Sequence, residues 1–330
     1  MKQLVIVPVI ALFLLSACST KEVYEPKVEV KEYPLLESRE NEVIDVSSNI
    51  ALLENRKTLF FDGENSVKIG TESRVLSKSD EWILSSSIDG NLTLNSLQES
   101  NSTKQFELKK TIASANAKES TLAVLFADGE MALYDIESQK LLFKAEGGKS
   151  LAVDSRIVPP YFMQDLVLFP TLDGKVIIVN AALKKKLRTI IVSSKANFNN
   201  IIYLDVLENK IVAATASDIL SIAQKEIRAK YESRNILYDG LNLYITTKQG
   251  EVISLTTDLE LNAKIKFPFA HFLSAIAQGD KLYLLEKNGY VIALNKNMKE
   301  YEVYSVDIDD GFVFNTQKTF NINDIKIPIQ

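Results

Sequence analysis

The sequence predicts an all-β fold made of repeated four-stranded units. Three observations carry this prediction: a hairpin motif, usually centred on glycine, recurs every 33 to 45 residues; an apolar β-rich run precedes each hairpin; and no long amphipathic helical pattern interrupts the series. The 330 residues are 46% hydrophobic, enough for a large core. The repeat length is close to that of a β-propeller blade, so we predict a propeller of seven four-stranded blades, with eight as the alternative.

The first 18 residues have the pattern of a bacterial lipoprotein signal. Lys2 precedes an uncharged apolar run over residues 4–15, and Leu-Ser-Ala-Cys follows at residues 15–18. The run is shorter than the roughly 20 residues of a membrane-spanning helix, which favours an export signal. We therefore expect residues 1–17 to be a signal peptide that is removed, and Cys18 to carry lipid. The alternative is a plain secretory signal with a chance cysteine.

This motif resembles that of the bacterial lipoprotein family. The resemblance implies a diacylglyceryl group on the Cys18 thiol and an acyl chain, such as palmitate, on its amine; two or more chains suffice for stable anchoring. Ser19 stands where an aspartate would resemble an inner-membrane retention signal. The expected location is the outer membrane, on its periplasmic face.

Residues 18–41 are predicted to form a lipidated, flexible tether. Pro26 and Pro34 interrupt regular pairing, and the segment has little apolar periodicity. The alternative is an edge strand near residues 28–30, where valine and glutamate alternate.

Charge and cysteine content exclude several classes of protein. The net charge is −5, and removal of Lys2 with the signal leaves −6. Apart from a short basic run at residues 184–188, no cluster suggests nucleic-acid binding. The single cysteine, once lipidated, leaves none for an internal disulfide.

Residues 42–330 are predicted to form one propeller domain. The repeated motif is a glycine, a variable residue, an apolar pair, an often small residue, another apolar residue and a polar stop. It begins, with decreasing clarity, at Gly289, Gly250, Gly174, Gly129 and Gly90, and without its glycine at Ser217. Asp-Gly and Asn-Gly pairs favour tight hairpin turns. A further hairpin is predicted at Asp62-Gly63, and the C-terminal strands are expected to close the ring with residues 42–70.

The segment Gly-Tyr-Val-Ile-Ala-Leu-Asn at residues 289–295 resembles the repeat of the quinoprotein (PQQ-type) propellers. Together with the lipoprotein signal, the repeat resembles the BamB family, lipid-anchored propellers of the β-barrel assembly machinery. The resemblance implies a protein-binding role in outer-membrane protein assembly. It transfers no functional residue position by position.

Catalytic chemistry has little support in the sequence. Quinone chemistry in the quinoprotein dehydrogenases uses tryptophan stacking and often a cysteine pair, whereas Trp82 and Cys18 are the only residues of their types. His271 is the single histidine, so a zinc site or catalytic triad is not expected. Residues 307–311 resemble a calcium loop only superficially and are interpreted as a turn. We expect no enzyme activity, no cofactor and no bound metal.

The function predicted from these observations is a non-catalytic, protein-binding scaffold in the cell envelope. Tyr161 and Phe162, and likewise Phe267 and Phe269, lie in proline-containing apolar segments between predicted blades. They are candidate partner contacts, although such residues can equally be buried connectors. The alternative is a periplasmic enzyme or small-ligand binder that uses the central channel. The sequence leaves open the identity of the partner and the face that binds it.

Overall fold

The computed structural model describes residues 22–99 and 102–329, and all regular structure in these residues is β-strand. The strands form eight sheets. The first strand of each sheet is innermost, where it contacts the next sheet: the Ser77 hydroxyl donates to the Ala115 carbonyl at 2.6 Å, and the Asn235 side-chain Nδ2 donates to the Phe272 carbonyl at 3.2 Å. The chain is therefore an eight-bladed β-propeller. Within the described ranges, no helix is long and apolar enough to cross a membrane.

The strands are numbered in chain order. Before the blades come β1 (Val30–Glu32) and β2 (Glu37–Ser38). Blade 1 has β3 (Val43–Val46), β4 (Ile50–Leu53), β5 (Lys57–Phe60) and β6 (Gly63–Lys68); blade 2 has β7 (Arg74–Lys78), β8 (Trp82–Ser86), β9 (Asn91–Ser96) and β10 (Thr103–Glu107). Blade 3 has β11 (Ile112–Lys118), β12 (Thr121–Phe126), β13 (Met131–Asp135) and β14 (Leu141–Ala145); blade 4 has β15 (Tyr161–Met163), β16 (Leu166–Pro170), β17 (Lys175–Asn180) and β18 (Lys185–Ile191).

The second half continues in the same way. Blade 5 has β19 (Tyr203–Leu207), β20 (Lys210–Ala214), β21 (Asp218–Ile222) and β22 (Glu226–Lys230); blade 6 has β23 (Ser233–Tyr238), β24 (Leu243–Thr247), β25 (Glu251–Leu255) and β26 (Leu261–Lys266). Blade 7 has β27 (Phe272–Gln278), β28 (Lys281–Glu286), β29 (Tyr290–Asn295) and β30 (Tyr301–Ser305); blade 8 has β31 (Val313–Asn315), β32 (Thr319–Ile322) and β33 (Ile325–Pro328).

The core lies between the blades. Strands in the second and third positions of a blade, such as β12 and β29, are buried on both faces, because adjacent blades cover both sides of the sheet. The prediction of an all-β propeller with four-stranded blades is confirmed.

The predicted count of seven blades is wrong. Residues 42–70 and the C-terminal strands were expected to share one closing blade, but β3–β6 form a complete blade by themselves. Strands β31–β33 form another blade, and β2 supplies its fourth strand through antiparallel pairing of Glu37 with Lys326.

The residues in two turns explain why the glycine-centred repeat does not mark blades 1 and 8. Arg56 and Asn323 stand near the turns between the second and third strands, with φ of 67° and 49°. Because these residues take the left-handed conformation usually given to glycine, the repeat marker is absent from both blades. The predicted Asp62-Gly63 hairpin exists, but it joins the third strand of blade 1 to the fourth.

Residues 22–41, expected to belong to a flexible tether, instead lie along the outer edges of blades 7 and 8. Strand β1 pairs in parallel with β30, with Val30 opposite Val303, close to the alternative edge strand predicted from the sequence. Tyr24 is buried in the apolar cluster between blades 6 and 7, and Tyr33 in the cluster between blades 7 and 8. This part of the N-terminal segment therefore belongs to the fold. Residues 1–21, including the predicted signal and Cys18, lie outside the described residues.

Candidate protein-binding face

The two faces of the propeller carry different connections. On one face, the turn between the second and third strands of a blade contacts the connection to the next blade: the Phe267 amide donates to the Gly250 carbonyl at 2.8 Å, and Val306 does the same to Gly289 at 2.9 Å. A Cβ atom at Gly250 would collide with the Phe267 carbonyl oxygen, so this turn requires glycine. We call this the turn face.

Two long interblade connections pack on each other on the turn face. Residues 146–160 join blades 3 and 4, and residues 192–202 join blades 4 and 5. The Phe198 amide donates to the Ala152 carbonyl at 2.8 Å. Asn200, fully buried, donates from its side chain to the Asp154 and Arg156 carbonyls at 3.2 and 2.9 Å, and its side-chain oxygen accepts from the Asp154 amide at 2.6 Å. We call these two connections the loop crest.

The loop crest exposes apolar side chains. Leu151 is 95% exposed and Phe198 is 59% exposed. Phe198 donates the hydrogen bond that joins the two connections, and Leu151 directly precedes the acceptor residue, Ala152. Elsewhere on the same face, Phe269 is 56% exposed. The backbones of Phe198 and Phe269 have φ of 50° and 64°, which is unusual and strained for an aromatic residue. Both phenylalanines therefore combine an exposed ring with a backbone conformation that favours glycine.

The four predicted contact residues differ in their surroundings. Phe267 is 2% exposed and stacks edge-on against Tyr301, with ring centroids 5.0 Å apart. Phe269, two residues later, is on the surface. Tyr161 and Phe162 lie in β15, the innermost strand of blade 4, half-buried among apolar neighbours. The structure thus places Phe269 on the turn face and the other three within the packed blades. Their roles in partner binding stay predictions.

Sequence reasoning missed Leu151 and Phe198. Each is a large apolar residue in a polar stretch between strands: Leu151 follows Gly-Gly-Lys-Ser, and Phe198 lies within Lys-Ala-Asn-Phe-Asn-Asn. A single large apolar residue in a polar interblade segment is the sequence feature that could have identified them. Only the packing of the two connections reveals that they share one surface.

Arg156 fixes the loop crest to blade 6. Its Nη1 donates to the Ser233 carbonyl at 3.1 Å and to the Arg234 carbonyl, while its Nε donates to the Asp154 carboxylate at 2.8 Å. Burial would raise the pKa of Asp154, but the hydrogen bonds and charge of Arg156 outweigh this and hold it below its usual value. Because Ser233 begins the innermost strand of blade 6, Arg156 links the crest to the rim of the central channel.

His271 and Glu286 lie at the same rim. The buried Glu286 carboxylate accepts hydrogen bonds from the backbone amides of His271 at 2.9 Å and Asn288 at 2.7 Å. Burial nevertheless raises its pKa. In the described ranges, no group of three or more His, Cys, Asp or Glu residues is arranged to hold a metal ion.

The chain is similar to known proteins both in sequence and in fold. No family model matches the chain. It is 39% identical over 206 residues to the plasminogen-binding protein PgbB of Helicobacter pylori strain J99, and 38% identical to that of strain 26695. The match covers 61% of this chain but 38% of each relative, so the chain spans well under half of their length.

Among solved structures, BamB from Moraxella catarrhalis aligns with a TM-score of 0.67 and 12% identity, over 89% of this chain and all of that one. The C-terminal WD40 domain of Sif2 aligns with a TM-score of 0.63 and 14% identity, over 91% of this chain and all of that domain. At such low identities the likeness concerns the fold alone. The predicted structural resemblance to BamB is confirmed.

Proposed function

We propose that this protein is a non-catalytic scaffold that binds a protein partner through the loop crest and the neighbouring part of the turn face. The observation that carries the proposal is the exposure of Leu151, Phe198 and Phe269 on one face, two of them on strained backbones. Exposed apolar side chains on rigid, hydrogen-bonded loops are typical of protein contacts. Strained backbone conformations are concentrated at functional sites, which makes Phe198 and Phe269 candidates for contact.

We further propose that the protein is an outer-membrane lipoprotein, anchored through Cys18 on the periplasmic face, whose partner belongs to the machinery that assembles β-barrel proteins. The lipoprotein motif at residues 15–18 supports the anchor. The structural likeness to BamB supports the choice of partner.

Plasminogen is a second candidate partner. The specific observation in its favour is the 39% identity to proteins named for plasminogen binding. Since this chain spans 38% of such a relative, the plasminogen-binding part of that protein need not lie in the matched region.

Affinity capture from crosslinked envelopes tests the proposal. Phe198→Gly and Phe269→Gly remove the exposed ring and relieve about 1 kcal/mol of backbone strain, so neither should lower the melting temperature. Each should reduce partner recovery about tenfold, as loss of an interface hot spot does. Leu183→Gly is the matched control, because Leu183 is exposed in a turn between β17 and β18 on the opposite face.

Three outcomes separate the candidates. Recovery of barrel-assembly proteins that depends on Phe198 and Phe269 supports the scaffold proposal. Binding of purified plasminogen, with no envelope protein recovered, supports the second candidate. Equal loss of binding in Leu183→Gly and Phe198→Gly would refute the assignment to the loop crest.

A further inference from the structure

Arg234 lies at the rim of the central channel, beside the loop crest. It is the second residue of β23, the innermost strand of blade 6. Its Nη1 lies 2.6 Å from Nε2 of His271. Because a guanidinium can only donate, Nε2 accepts this hydrogen bond, and a neutral His271 carries its proton on Nδ1.

The charge of Arg234 has no counter-ion among the described residues. Within the described ranges, Arg156, Arg188 and Arg228 each pair with a carboxylate, whereas Arg234, like Arg39, Arg56 and Arg74, forms no ion pair. Its Nε is buried and makes no hydrogen bond to the part of the chain that the structure describes. A half-buried guanidinium without an anion is unfavourable, and such a group needs an explanation.

The carboxylates near Arg234 are already engaged. Asp154 is held by Arg156, and Glu286 accepts hydrogen bonds from two backbone amides. Burial, with a further contribution from the positive charge of Arg156, lowers the pKa of Arg234. Among the residues that the structure describes, no side chain pairs with the positive charge of Arg234 at this rim.

We propose that Arg234 binds a carboxylate of the protein partner, from an aspartate or glutamate with apolar neighbours. The planar guanidinium fork suits a carboxylate, which can accept two parallel hydrogen bonds. This inference rests on the proposed function and specifies the chemistry of the partner.

The surroundings indicate a protein segment as the source of the carboxylate. The exposed Phe269 lies two residues before His271, and Arg156 ties the loop crest, with Leu151 and Phe198, to the strand that carries Arg234. A charged anchor next to apolar contacts has the composition of a protein-interface core, where arginine and aromatic residues are enriched. An inorganic anion would make no use of the apolar side chains.

A pair of peptide pools tests the proposal. Both contain capped pentapeptides with equimolar Leu, Val and Phe at the four positions that flank the centre; the central residue is Asp in one pool and Asn in the other. Immobilised protein should retain the Asp pool about tenfold more than the Asn pool, the discrimination expected for a hydrogen-bonded charge. Arg234→Gln should abolish the difference, and Arg234→Lys should restore part of it.

Arg228→Gln is the matched control, because Arg228 lies on the outer strand of blade 5 and pairs with Glu226. It should leave the retention unchanged. Melting temperatures of the variants show whether they fold. Equal retention of the two pools by the native protein, or an unchanged preference in folded Arg234→Gln, would overturn the proposal. So would saturable binding of inorganic phosphate with no preference for the Asp pool.

Affinity capture from envelopes and retention of the peptide pools test the proposed function and the carboxylate site separately. If capture depends on Phe198 while the Asp pool is not preferred, the scaffold stands and the carboxylate site fails. If Arg234 selects the Asp pool while capture ignores Phe198, the carboxylate site stands and the loop crest is not the contact.

Discussion

Replacing Tyr24 and Tyr33 by phenylalanine should change the free energy of unfolding in opposite directions. Both tyrosines belong to the N-terminal segment, and both are buried, at 4% and 6% exposure. The Tyr33 hydroxyl donates to the Pro328 carbonyl at 2.7 Å. The Tyr24 hydroxyl is buried and makes no hydrogen bond within the described ranges. The two side chains therefore differ in one polar interaction while sharing a similar apolar environment.

The magnitudes follow from this difference. Tyr33→Phe loses one hydrogen bond and leaves a carbonyl unpaired, at a cost of about 1 kcal/mol. Tyr24→Phe removes an unsatisfied hydroxyl and should gain about 1 kcal/mol. The rings themselves contribute more: Tyr24 stacks edge-on against Tyr290 and Phe267, with centroids 5.7 and 6.1 Å away. Truncation of either tyrosine to alanine should therefore cost about 3 kcal/mol.

Equilibrium unfolding in urea measures these changes, with a chain that begins at Glu22 so that lipid plays no part. The midpoint should rise for Tyr24→Phe, fall for Tyr33→Phe and fall further for both alanine variants. If Tyr24→Phe were as destabilising as Tyr33→Phe, the Tyr24 hydroxyl would have a partner. If Tyr24→Ala left the midpoint unchanged, the N-terminal segment would not be packed on blades 6 and 7.

Three further predictions concern other parts of the chain. Phe267→Ser should lower the free energy of unfolding by about 3 kcal/mol, whereas Phe269→Ser, on the exposed side of the same loop, should leave the melting temperature within a few degrees; equal effects would contradict the assigned burial. Burial raises the pKa of Asp205 in the folded state. The folded state is therefore stabilised by the protonated carboxyl. This contribution is fully present below the ordinary aspartate pKa of about 3.9 and is lost as pH rises through the raised folded pKa. Asp205→Asn should therefore be more stable than the native protein at pH 7, and urea unfolding at lower pH should show the advantage shrinking. Cys18→Ser should abolish outer-membrane anchoring; persistence of the cleaved protein in washed outer-membrane fractions would show that something other than lipid holds it.

The repeat and its turns could be predicted from the sequence because their causes are local. Asp-Gly at residues 89–90 and Asn-Gly at residues 288–289 favour a left-handed turn, and the two glycines have φ of 86° and 83°. The continuous apolar runs before these turns are typical of strands that are buried on both faces. Such strands lie inside a stack of blades. These two features determined the all-β propeller without further information.

The number of blades and the exposure of the candidate contact residues were decided by tertiary structure. Arg56 and Asn323 occupy turns that glycine marks elsewhere, so blades 1 and 8 become visible only through strand pairing. The two-residue strand β2 has no pattern of its own and is a strand because β33 offers an unpaired edge. Phe267 and Phe269 have nearly the same sequence context, and only the packing of blades 6 and 7 buries one ring and exposes the other. Local sequence determines which segments become strands and turns; contacts between residues far apart in the chain decide which side chains reach the solvent, because burial depends on what the completed ring brings alongside them.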